Sequence, residues 1–289
     1  MEIIQADQYV FGSFGSKGYH IPACSAGAMP FIRQIDERYK YFGDPKPHPE
    51  IEQHFFAAPL TPNGDRMIIG NFSMTGTDNL NRRDALVSKG VLIDAQQYRQ
   101  IGANPYLLFP ALKLDDVAEK AQSQLGGLQP VQLSVDQGWI LPELHRSLES
   151  LSESEIQMLY DVTKNLWSQK KIRLPLHLKN EEILRLAISI SPVYLKQKFA
   201  ITTYSRLLGE TLYFDATLSV NKPLLLDRNA VFPTYFDARL DEVLDFVRYN
   251  NRAGYEDFLQ INDLKPLPKP STFKRFMGKI NPFSGAKKR

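Results

Sequence analysis

The pentapeptide Ala23-Cys24-Ser25-Ala26-Gly27 matches the A-x-S-x-G form of a nucleophile elbow, a sharp strand-to-helix turn that exposes a serine hydroxyl for attack on a carbonyl. Such a serine needs a histidine base and an acid from further along the chain, and His145 and His177 are the candidates for the base. Only one hairpin precedes this turn, whereas a hydrolase fold places several strands before its elbow. The structural alternative for the same residues is Ser25 as a helix cap beside a buried Cys24. Cys24 could also act as a thiolate, with His20 or His54 as its base, because a thiolate needs only a basic or positive neighbour.

Other polar clusters carry less. Gly12-Ser13-Phe14-Gly15-Ser16-Lys17-Gly18 has the glycines of a phosphate loop but lacks the G-K-[ST] order, so it reads as a hairpin tip. Arg82 and Arg83, in the turn Asn81-Arg82-Arg83-Asp84, could grip a carboxylate or phosphate ahead of a strand, or stay solvated. The five histidines form no H-x-x-x-H pair and Cys24 is the single cysteine, so neither a metal site nor a bound cofactor is expected, nor any internal disulfide.

The C-terminal end has its own chemistry. Lys265-Pro266-Leu267-Pro268-Lys269-Pro270 reads as an extended spacer, since alternating prolines forbid a helix. Ser271 can then cap a short helix that puts Phe273, Phe276, Met277 and Ile280 on one face and Lys274, Arg275 and Lys279 off it, until Pro282 stops it. Such a segment suits an anionic membrane surface or an apolar groove on an acidic partner; a solubilising end or a helix folded back on the body are the alternatives.

These groups must be positioned by elements that the hydrophobic pattern foretells. Residues 3–11 and 19–21 read as a hairpin, residues 29–41 as a helix, and the runs 54–60, 66–74 and 85–93 as antiparallel strands separated by turn signals. Short helices are expected over 96–101 and 115–125. Ser152 starts a helix that runs to Trp167, and Asn180 caps another that runs to Ile188. Strands are expected over 199–205 and 211–219, with helices over 238–250 and 254–260. The result is an α+β fold with a β-rich antiparallel N-terminal half (1–128), a mixed helix and strand half (129–264) and a basic tail (265–289).

With 43% hydrophobic and 23% charged residues among 289, the composition is that of a folding globular chain. Net charge is +3, but eight of the 35 basic residues and none of the 32 acidic ones lie from Lys265 onward, leaving 27 against 32, or −5, before it. A body of that sign makes a poor nucleic-acid groove. The first residues, MEIIQADQYVFGS, lack the pattern of a secretory signal, and no run approaches about 20 apolar residues. A cytoplasmic location is expected, peripheral to the inner membrane face where the tail meets lipid.

Ile4-Gln5-Ala6 with Tyr9, followed by Gly18-Tyr19, Ala23 and Ser25, resembles the first motif of the N-terminal domain of GTPase-associated protein 1 of bacterial NTP-dependent conflict systems. Three further blocks are similar to that family in order: Arg82-Arg83-Asp84 leading into Ser88 to Ile93, Asn104 to Phe109, and Lys198 to Tyr204. Lys89 stands where the family usually has a histidine and Lys198 where it commonly has an arginine, and two inserted residues lengthen the first motif. The resemblance spans residues 1 to 220 and implies a non-catalytic adaptor that docks a GTPase or other NTPase in bacterial, antiphage defence. Gln5, Tyr9, Ser25, Arg82 and Arg83 form the polar site it suggests. The alternative from the residues alone is a hydrolase using Ser25 or Cys24.

Overall fold

Successive side chains of the first strand point to opposite faces of the sheet, and both faces are buried. In β1 (Glu2–Ser13), Ile4 and Ala6 enter one core, while Tyr9 and Phe11 enter another on the opposite face. The computed structural model describes residues 2–14, 18–39, 53–77, 83–112, 127–135, 140–205, 214–219, 226 and 229–265.

β2 (Tyr19–Cys24) folds back antiparallel on β1 with Tyr9 opposite Cys24, and Gly18 takes the left-handed conformation at φ 74° on the return. The expected hairpin is therefore present. A 3-10 turn at Met29–Phe31 leads into α1 (Ile32–Tyr39), which buries Ile35 and Tyr39. β3 (Gln53–Pro59), β4 (Arg66–Thr77) and β5 (Arg83–Asp94) form an antiparallel meander. Asp94 ends β5 and caps α2 (Ala95–Gln100), its carboxylate accepting the Gln97 N–H at 2.8 Å.

β6 (Val131–Val135) pairs with residues 2–6 of β1. The chain then alternates through α3 (Ile140–Glu149), α4 (Glu153–Trp167), β7 (Ile172–Pro175), α5 (Leu178–Ser189), α6 (Val193–Lys196), β8 (Phe199–Ser205), β9 (Phe214–Ser219), α7 (Tyr235–Arg248) and α8 (Arg252–Leu259). The start of α4 is as the sequence foretells: Ser152 accepts from the Glu155 N–H, and Glu155 reaches back to the Ser152 N–H at 2.7 Å. The cap of α5 is a correction. His177, not Asn180, caps it by accepting the Lys179 N–H, while Asn180 donates to the Pro175 carbonyl at 2.8 Å from within the helix.

Among the described residues the strands make one nine-stranded sheet in the order β2-β1-β5-β4-β3-β8-β9-β7, with β6 on β1. Pairing is antiparallel from β2 to β8 and parallel among β8, β9 and β7. The fold is α+β. Strands before and after residue 128 share this sheet, and Phe56 opposite Thr202 and Ala57 opposite Ile201 are the register pairs at the junction of β3 with β8. One face buries Met67, Ile69, Val91 and Ile93 under the helices of the second half; the other buries Phe56, Ile68, Phe72 and Leu92 against α1. Among the described residues, no helix is long and apolar enough to cross a membrane.

Candidate functional site

Ser25 follows the last residue of β2 and is fully buried. Its hydroxyl donates to Asp7 Oδ1 at 2.8 Å and accepts the Gln8 N–H at 3.0 Å, while its own N–H donates to the Gln8 carbonyl at 2.8 Å. Ser25 is thus a tie to β1, which corrects the helix-cap expectation: the following 3-10 turn is entered from Ala28 with no side-chain cap. Gly27 is there because a Cβ at that position would overlap the Asp7 carboxylate.

The neighbouring thiol is equally closed. Cys24 is buried, and burial followed by the negative Asp7 pushes its pKa up, which suppresses the thiolate. The histidines considered as bases are engaged elsewhere. His145 faces Glu149 at 3.3 Å on α3, His177 caps α5, His20 Nδ1 lies 2.7 Å from the Gly18 carbonyl, and His54 sits fully buried against Phe72.

Tyr9 lies on the same face of β1 as Asp7, two residues on, but beneath α1. Its hydroxyl lies 3.1 Å from that of Tyr39, which stands 2.5 Å from Ser88 Oγ; Ser88 in turn donates to the Asn71 carbonyl at 2.5 Å. Burial raises both tyrosine pKa values, so the phenols stay neutral. The ring fits because residue 90, opposite Tyr9 in β5, is glycine: a Cβ there would overlap the ring.

Of the expected polar site, then, Tyr9 of β1 lies opposite Cys24, the residue before Ser25, and Gln5 lies exposed on β1 opposite Gln132. Arg83 opens β5 opposite Thr77, seven positions from Gly90, which places it about 23 Å along the strand from Tyr9. Arg82 lies outside the described residues, as do Phe273, Lys274, Arg275, Phe276, Met277, Lys279 and Ile280 of the tail and the helix expected over 115–125.

Sequence reasoning passed over several of the groups that matter here. Asp7, the acceptor for Ser25, is 18 residues distant in sequence. Lys196 closes α6 and is 1% exposed, with Nζ 3.4 Å from the Ser189 carbonyl; burial pulls its pKa down to about 7. It lines a small void with Asn104, Tyr255 and Glu256. Tyr255 and Asn104 bond Ser189 in the same place, to its carbonyl at 2.9 Å and its hydroxyl at 3.1 Å. No family model, curated protein or solved structure matches the chain.

Proposed function

We propose that this chain is a non-catalytic adaptor that docks a GTPase or related NTPase in a bacterial conflict system, with residues 265–289 tethering the complex to an anionic membrane surface or to the partner. One observation carries the reading. Four polar residues in the blocks that resemble the GTPase-associated family, Ser25, Ser88, Asn104 and Thr203, are spent on holding the framework together. Ser25 ties β2 to Asp7 of β1, and Ser88 joins β5 to Tyr39 of α1. Asn104 bonds Ser189 of α5, and Thr203 of β8 accepts the Phe55 N–H of β3 at 2.8 Å. These ties are spread over five strands and two helices instead of converging on one cleft, whereas a catalytic constellation gathers its groups at one site.

The elbow geometry supports the same reading. A nucleophilic serine must present its hydroxyl to substrate and pass its proton to a base, whereas Ser25 is buried and its hydroxyl donates to Asp7 Oδ1. Treatment of the folded chain with a fluorophosphonate and, separately, with iodoacetamide is expected to leave Ser25 and Cys24 unlabelled on the minute scale. Rapid labelling that Ser25→Ala or Cys24→Ala abolishes would replace the adaptor with a hydrolase.

A further inference from the structure

Among the described residues most helix-borne cations face a carboxylate, as Lys179 does Glu182, Arg239 does Glu242 and Arg252 does Glu256. Arg99, Lys171 and Lys198 are exposed and, among the described residues, form no ion pair. These three line one cleft of about 590 Å³, between the turn that joins β3 to β4, helix α2, the connection from α4 to β7 and the connection from α6 to β8. Gln169 and Gln197 add amide side chains to the wall, as does Asn63, whose amide donates to the Asp65 carboxylate at 3.1 Å; among the described residues no carboxylate and no aromatic ring lines the cleft itself.

Their convergence is built into the fold. Each cation is the immediate chain neighbour of a core residue: Arg99 of Tyr98, Lys171 of Ile172 and Lys198 of Phe199, all of them at most 1% exposed. The core fixes the three backbone positions, so the cations stay around one cleft, and among the described residues no ion pair offsets their mutual repulsion. On a body whose sequence carries −5 before Lys265, this is a local reversal of sign that draws in small anions.

We propose that this cleft is a binding site for a small oligophosphate, a molecule carrying two or more linked phosphates. A volume of about 590 Å³ suits a small molecule. Three cations offset most of the charge of pyrophosphate and part of that of tripolyphosphate, and the arginine fork and glutamine amide donors fit phosphate oxygens. Nucleic acid is the poorer occupant, since its grooves gather about 6 to 10 phosphate contacts and its single strands need stacking rings. The site stands independently of the partner proposed above.

Calorimetric titration of the full chain with pyrophosphate and with tripolyphosphate, in magnesium-free buffer at about 0.1 M salt, tests it. Saturable binding of one ligand per chain is expected, tighter for tripolyphosphate. Arg99→Gln with Lys198→Gln should weaken it by about tenfold or more, whereas Lys274→Gln with Lys279→Gln in the basic tail should leave it unchanged. Thermal melts check that the variants fold. Should the double variant unfold, Lys171→Gln alone should still lose several-fold and Lys198→Arg should retain binding. The site is refuted by any of three results: no saturation below about 1 mM, loss of binding in the tail variant but not in the cleft variants, or a mixed-sequence single-stranded oligonucleotide that binds the cleft more tightly than tripolyphosphate.

Discussion

Asp7 and Ser25 fasten the first two strands to each other: Ser25 Oγ donates to Asp7 Oδ1 at 2.8 Å while it accepts the Gln8 N–H at 3.0 Å. One hydroxyl thus satisfies a carboxylate and a main-chain donor at the point where β2 leaves the sheet. Ser25→Ala strands both groups and is expected to cost about 1 to 3 kcal/mol, a fall in melting temperature of roughly 2 to 8 °C. An unchanged melting temperature would show that the tie contributes nothing.

Two glycines should answer alanine substitution differently. Gly90→Ala drives a methyl into the Tyr9 ring, within a buried cluster that cannot give way, and overpacking of this kind costs about 1 to 3 kcal/mol or more. Gly64 has a left-handed φ of +70° and nothing within 4 Å of an added Cβ, so Gly64→Ala bears only backbone strain of about 1 to 2 kcal/mol. Denaturant unfolding of both variants should rank Gly90→Ala as the more damaging; the reverse order would remove Tyr9 from that packing role.

Lys196 gives stability a definite pH dependence. Its folded pKa is lowered to about 7, while the unfolded chain keeps the ordinary 10.5. Between these values the unfolded state binds the extra proton, so stability rises with pH through this window, and below about 7 the burial penalty is felt in full. Glu256, the carboxylate lining the same void, is held by Arg252 at 2.7 Å. Lys196→Met should raise stability at pH 7 by a few kcal/mol on this order-of-magnitude reckoning and flatten the rise between about pH 7 and 9. An equal slope in the variant and the parent would assign the pH dependence to other groups.

The tail expected over 265–289 keeps its first residue, Lys265, in contact with the body. Leu264 is 3% exposed within the core and the Lys265 carbonyl accepts from Arg239 at 3.2 Å, so both belong to the body. Truncation after Lys265 should therefore leave the melting temperature nearly unchanged, whereas Leu264→Ala should cost about 2 to 5 kcal/mol. Full-length chain should co-sediment with phosphatidylserine vesicles at low salt and poorly with neutral ones, and Phe273→Ser with Phe276→Ser should abolish it. Binding that survives this double substitution would leave only loose charge attraction.

The legible parts of the fold were those with local causes. The two-residue alternation of β1, the turn residues Pro62 to Asp65 between β3 and β4 and the capping box at Ser152 and Glu155 each act within a few residues, and the strands and the helix follow, whereas the turn signal at Thr75 to Asp78 is overridden up to Thr77 by pairing of β4 with β5. Less was legible where the signal is short or the cause distant. Ile172–Pro175 is a four-residue strand, and Pro142 disguises Ile140–Glu149, although proline is tolerated in a first turn. The site suffered most. Ser25 reads as a cap until Asp7 arrives from the neighbouring strand, and Arg99, Lys171 and Lys198 have no common pattern in a chain where 72 and 27 residues separate them.

The adaptor reading is tested most directly by multi-angle light scattering of the full chain mixed with each GTPase or other NTPase that neighbouring genes encode, run once with GDP and once with a non-hydrolysable GTP analogue. A co-eluting species at the summed mass is expected in at least one nucleotide state, and Ser25→Ala that remains folded should still form it. Separate elution from all of them in both states would contradict the adaptor function.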